Sequence, residues 1–447
     1  MICRLPRKDR SERVRIHLEQ SKKKYEHEIY KALSELDYLA PPRLILLQAF
    51  LSGALFMQNQ GDMSRSWTLT AFASRTLVSL NLHAIDATKP SDPEQRDLHG
   101  ALYSCYYLDK MLSALLLRPP SLPKLKVNPA ELVVLNPHFP LSASLKIMVS
   151  FARIQEIVLD LDLDRSHRNG NLAVITQLVG AMEGIQNDME KIAQYQRQLP
   201  FRKSTYEWAA IEFGYYALFS SVLHSKQRVA EDEISREQCL KASRQSLIRL
   251  NKLQDEVSTD ANFLDGYPYF LTWTLLFYPL TPFFVLFCNV VISGNLDDYA
   301  SMAAVVKGMS RFVQQHPSIN ELYALFSNFL RLSGPVVQSQ LESLVPGPNF
   351  AENCRESDLT DGHNGLAPQT AALDDILLRS NRNLQEESSL IQPDLDNDLM
   401  WDLLDFQPWL GWSKSDVLAN PRASDTSSST VGKIQLKFQF LDVQSIP

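Results

Sequence analysis

The run Leu172-Ala-Val-Ile175-Thr-Gln-Leu178-Val179-Gly-Ala-Met182-Glu-Gly-Ile185-Gln-Asn-Asp-Met189-Glu-Lys-Ile192 decides the fold class. Its apolar residues return at steps of three and four, so on a helix they form one stripe facing a core. The same spacing recurs at Leu44, Leu47, Phe50, Leu51 and Leu55, and at Trp208, Ile211, Tyr215, Leu218, Phe219 and Val222. No sustained alternation of period two precedes residue 430. Clusters of proline punctuate the helices at Pro119, Pro120 and Pro123, at Pro137 and Pro140, and at Pro279 and Pro282. The pattern predicts an all-α protein. Residues 1–40 read as a basic arm, solvated and ended by Pro41-Pro42, and residues 41–348 as one large helical domain. Residues 349–393 read as a disordered linker rich in Asn, Ser, Asp and Gly. Residues 413–447 read as a tail whose alternating stretch Ile434–Phe440 has no sheet to join.

Charge is divided along the chain. Residues 349–447 carry sixteen Asp and Glu against seven Lys and Arg, whereas the whole chain has a net charge of −7. The first 31 residues hold ten basic and five acidic side chains. An acidic whole argues against coating nucleic acid through bulk charge. The five cysteines, Cys3, Cys105, Cys239, Cys288 and Cys354, are scattered and odd in number, as in a reducing compartment. None forms a CxxC pair, so the chain offers no zinc site and no cofactor is expected. Gly266–Leu296 contains no charged residue and is long enough for a bilayer. Its prolines and the lack of flanking basic clusters favour a buried helix–turn–helix over a membrane span.

Enzyme signatures are missing. There is no glycine-rich phosphate loop, no GxSxG elbow and no HExxH helix. Asp160-Leu-Asp162-Leu-Asp164 lacks the Gly and Glu of a calcium loop and reads as a solvated helix end. His83, after Leu80-Asn81-Leu82, reads as a helix C-terminal cap rather than a ligand.

Gly61, Trp67-Thr-Leu-Thr-Ala71-Phe-Ala73-Ser-Arg75-Thr-Leu77-Val-Ser-Leu80-Asn-Leu82-His83, Pro93-Glu94-Gln-Arg96, Leu102-Tyr103, Leu108-Asp109-Lys110, Leu112-Ser113 and Arg118-Pro119-Pro120 form an ordered series. This series resembles the central regulatory domain, or middle homology region, of fungal binuclear-zinc-cluster transcription factors. Trp273-Thr-Leu-Leu-Phe-Tyr-Pro279-Leu-Thr-Pro282-Phe-Phe-Val-Leu-Phe resembles a second recurring segment of those regulators. The motif core is Trp67, Leu82, His83, Glu94, Arg96, Asp109, Arg118 and Pro119. Asp109 is expected either to pair with Arg75 or Arg118 or to lie on the surface. Glu94, near a helix start, suits the positive end of the helix dipole. Three departures stand out: Gly100-Ala101 replaces bulky aromatics, Lys110 replaces Arg, and Leu117 replaces the Gly before Arg-Pro. The six-cysteine cluster is missing too. Either it is encoded upstream, the one route to zinc, or the regulator works without it.

Asp394-Leu395-Asp-Asn-Asp398-Leu399-Met-Trp401-Asp402-Leu403-Leu404-Asp405-Phe406-Gln-Pro-Trp409-Leu-Gly-Trp412 has no Lys or Arg and holds three of the six tryptophans. A helix would place Leu395, Leu399, Leu403 and Phe406 on one stripe and Asp398, Asp402 and Asp405 on another. Together with Trp401, Leu404 and Trp409, this acidic–hydrophobic box reads as an activation segment for a partner's apolar groove. The competing reading is a helix docking on its own domain. The resemblance implies a DNA-binding family and a nuclear regulator, activator-like, of a metabolic gene cluster. The expected partners are transcriptional co-activators at residues 394–412, DNA touched weakly or indirectly by the basic arm, and a second copy of the chain, with no membrane. The alternative is a helical-scaffold enzyme or membrane-associated protein without a recognisable motif.

Overall fold

A computed structural model of the chain describes residues 12–85, 93–134, 141–163, 172–197, 205–230, 232–259, 274–278, 280–313 and 317–344. The described elements are helices, as the apolar periodicity predicts. They are α1 (Glu12–Ser34), α2 (Leu44–Asn59), α3 (Met63–Ser79), a single 3-10 turn (Leu82–Ala84), α4 (Pro93–Leu116), α5 (Pro129–Leu132), α6 (Leu141–Leu163), α7 (Leu172–Arg197), α8 (Thr205–Ala230), α9 (Glu233–Thr259), α10 (Thr281–Ser293), α11 (Leu296–Ser310) and α12 (Pro317–Leu344). The linker, the activation segment and the terminal stretch named above lie outside the described residues.

The chain divides into two compact units. The first comprises Met1–Pro282 with Lys307–Tyr323, the second Phe283–Val306 with Ala324–Pro447. In the first, α2 and α3 form a tight hairpin. Gly61 turns between them at φ 81°, a conformation a side chain resists. Its N–H bonds the Gln58 carbonyl, while the Asp62 N–H reaches back to Met57, so two carbonyls left open at the end of α2 are satisfied. Asp62 then caps α3, its Oδ1 accepting the Arg65 N–H at 2.9 Å. Ser66 Oγ donates to the Ala54 carbonyl inside the hairpin at 2.8 Å. Tyr38, Phe50 and Phe72 pack beside it, with ring centroids 4.9–5.7 Å apart.

Most residues of the predicted stripes are buried; Leu55 is exposed, and Leu44, Val179, Trp208 and Phe219 are half-buried. On α7, Ile175, Leu178, Met182, Ile185, Met189 and Ile192 are buried; on α8, Ile211, Tyr215, Leu218 and Val222 are. Small residues let α8 and α9 approach closely, and Ser220 and Ser243 meet at 2.6 Å between them. α1 leaves Ile16, Tyr25, Ile29 and Tyr30 exposed. It joins the hairpin through Tyr30 on Phe56, 5.1 Å between centroids.

The second unit is an aromatic core. Phe283 of α10 stacks on Phe326 of α12 at 3.8 Å, and Phe287 lies 4.7 Å from Phe329. Asn289 donates to the buried Asp298 carboxylate at 2.8 Å. Pro282 sits in the first turn of α10, where a missing N–H costs nothing. Among the described residues no helix is long and apolar enough to cross a membrane.

Candidate functional site

The motif residues gather where α3, α4, α6 and the loop after α4 meet. Trp67 of α3 is half-buried. Its Nε1–H donates to Ser113 Oγ of α4 at 3.2 Å, and the Arg118 guanidinium lies 5.0 Å above its ring. Arg118 therefore stacks on Trp67 and does not pair with Asp109. Nor does Arg75, which is exposed on α3.

Asp109 belongs to a different arrangement, which corrects both sequence expectations for it. It is 1% exposed, neither on the surface nor paired with an arginine. Its partner is the next residue, Lys110, at 3.1 Å and equally buried. The carboxylate also accepts the N–H groups of Ser121 and Leu122 at 2.8 and 3.1 Å. It thus caps the loop after Pro119-Pro120. The Lys110 ammonium has three hydrogens, and three acceptors surround it. These are Asp109, the Leu122 carbonyl at 3.0 Å and Glu156 of α6 at 3.0 Å. Tyr106 O–H donates to the other Glu156 oxygen at 3.0 Å, and its ring lies 5.5 Å from the Lys110 nitrogen. Burial pushes the Asp109 carboxyl above its ordinary range, and Lys110 with the two backbone amides pulls it back.

A second buried chain runs beside this clamp. Tyr103 O–H donates to the Leu132 carbonyl at 2.8 Å and faces His99 Nδ1 at 3.2 Å. With its proton committed to Leu132, the tyrosine oxygen accepts from His99. Burial lowers the His99 pKa.

The remaining motif residues have quieter places. Leu82 is buried in the 3-10 turn. His83 follows it, and its Nδ1 is buried with no hydrogen-bond partner. The residue that ends α3 is Asn81, at φ 59°. Glu94 is the second residue of α4, its side chain outside the described residues. Arg96 and Pro119 are exposed. The motif leaves Lys110 as a mere departure and omits Glu156 and Tyr106. Glu156 lies 46 positions beyond Lys110, and no local spacing marks it.

Residues 274–278 of the second motif are also docked in the first unit, whereas its residues 283–287 belong to the second. Tyr278 inserts against Phe151 and Phe213, 5.8 and 6.3 Å between centroids. Gln155 of α6 donates to the Phe277 carbonyl at 3.0 Å.

The clamp is built to hold. Its two central charges are out of water, and the protons of Lys110 are all engaged. It offers no open position for a substrate. Among the described residues no three His, Cys, Asp or Glu side chains are placed to bind a metal, and Cys105, Cys239 and Cys288 are free and buried.

Residues 7–141 match the family described as fungal specific transcription factor domain. Over those residues the chain is similar to a fungal specific transcription factor domain. That family is one of transcription factors, not of enzymes. No curated protein matches the chain, and no solved structure does. The transcription factor domain takes in α1 to α5 and therefore Trp67, Asp109, Lys110 and Arg118. Glu156 lies beyond the matched residues, so the clamp joins the domain to the helix that follows it.

Proposed function

We propose that this chain is a nuclear transcription activator. The transcription factor domain would position it in a regulatory assembly, and residues 394–412 would recruit co-activators. The reading rests on the family match at residues 7–141, and the composition of residues 394–412 supports the activating sense. Aromatic and leucine side chains set among aspartates suit an apolar groove with a basic rim. Lys23, Lys24, His27 and Lys31 are exposed along α1 and would give weak, salt-dependent contact with DNA phosphates.

The test tethers the full chain, and separately residues 394–412, to an unrelated DNA-binding domain upstream of a reporter. Both fusions are expected to activate. Replacing Trp401, Leu403 and Phe406 together with Ala should remove most of the signal, since each buried side chain contributes roughly 1.5–3 kcal/mol. Changing Asp402 alone to Asn should matter little, because an exposed charge mainly steers encounter. A triple variant as active as its parent would refute the groove mechanism. Silence of both fusions would refute the activator reading.

A further inference from the structure

α7, α8 and α9 line an open cleft of about 330 Å³ that lies outside the matched transcription factor domain. Successive turns of α8 supply Trp208, Glu212, Tyr215 and Tyr216, α7 supplies Glu190, and α9 supplies Arg249. Trp208 and Tyr216 are only half-buried, so their ring faces are not used up in the core. The guanidinium of Arg249 lies 6.0 Å from the Tyr216 ring and 3.3 Å from Glu212. This built-in pair shows the preference of the walls: an aromatic face and a carboxylate together hold a cation. It also leaves the charges uneven. The lining has two carboxylates and one guanidinium, and Glu190 has no cation of its own among the lining residues. Glu190 is exposed, and Gln186 Nε2 orients it by donating at 3.2 Å, while Gln186 Oε1 takes the Tyr215 hydroxyl proton at 3.2 Å.

We propose that this cleft binds a small organic cation, its ammonium head between Glu190 and the Trp208 ring. An anion is disfavoured because the lining sets two carboxylates against one guanidinium, and that guanidinium already pairs with Glu212 through Nη1. The cleft is independent of the activation segment, and its occupancy can be tested without any transcription readout.

The experiment is calorimetric titration of the full chain with three molecules of one shape. These are choline, its neutral carbon isostere dimethylbutanol, and dimethylbutyrate. Choline should bind saturably, about threefold to thirtyfold tighter than the neutral isostere, the range that a cation–aromatic contact supplies. The carboxylate should not bind. Glu190→Gln changes an exposed residue and keeps the fold. It should weaken choline about twofold to fivefold, as loss of an exposed charge pair does, and leave the isostere unchanged. Trp208→Leu should weaken both. Equal affinity for choline and the isostere, preferential binding of the carboxylate, or no saturable choline binding would each overturn the proposal. So would a Glu190→Gln chain, folded by its far-ultraviolet dichroism, with the parent's affinity for choline.

Discussion

Leu117 stands at φ 51°, a backbone conformation in which its β-carbon crowds the neighbouring carbonyl. The reason is the helix end it forms. Arg118 N–H reaches the Ser113 carbonyl at 2.9 Å and Leu117 N–H reaches Ala114, the paired bonds that close a helix through a left-handed residue. Gly61 does the same after α2 without strain. Leu117 is 44% exposed and packs little, so Leu117→Gly should raise stability by about 1 kcal/mol, seen as a higher denaturant midpoint with an unchanged slope. A lower midpoint would show that Leu117 contributes packing worth more than its strain. Lys110 has the opposite character. Lys110→Met leaves Asp109 buried without its counter-charge and should cost about 3–5 kcal/mol. Adding Asp109→Asn should restore part of that loss, and strict additivity in this double-mutant cycle would deny the pair. His99 adds a pH dependence. Its lowered pKa means that the fold holds it neutral while the unfolded chain takes up a proton near pH ~6.5. Its contribution is therefore complete above that pH and is lost as the pH falls below it. The stability gap between the parent and His99→Gln should narrow on going from about pH 7.5 to about pH 5.5; a constant gap would exclude His99 as the source.

Helices pack here through two kinds of glycine, and the structure separates them. A β-carbon on Gly214 of α8 would lie 2.6–2.8 Å from ring atoms of Tyr278. The ring is wedged between Phe151 and Phe213 and has nowhere to retreat. Gly214→Ala should therefore destabilise the chain by about 1–3 kcal/mol despite the better helix propensity of alanine. On Gly53 of α2 the corresponding clash is with the Leu33 Cδ2 methyl at 2.7 Å, the far end of a flexible side chain at the edge of α1. Gly53→Ala should cost clearly less than Gly214→Ala when the two are compared by thermal unfolding; equal losses would mean that Leu33 is held as firmly as Tyr278. Sequence alone could not rank these positions. Both glycines lie inside periodic stripes, and nothing near either names the side chain that approaches it from another helix.

Across the molecule, local repetition and distant pairing divide what was legible from what was not. The 3.6-residue stripes of α2, α7 and α8 determined that these segments are helical and most of which residues they bury, because amphipathic period is written in residues a few positions apart. Composition likewise determined where the acidic charge lies, since a charge count needs no contacts. The Trp67 to Pro119 series sufficed to point to the family that residues 7–141 match. The role of Asp109 did not follow from that series. An acidic residue on that helix reads either as paired with an arginine or as a surface charge, and only the fold put it out of water beside Lys110. Glu156 joins that clamp from another helix, Tyr278 finds Gly214 across 64 positions, and the cleft at Glu190 draws on three helices. Each depends on which helices become neighbours, and that is decided by the summed burial of whole faces rather than by any local spacing.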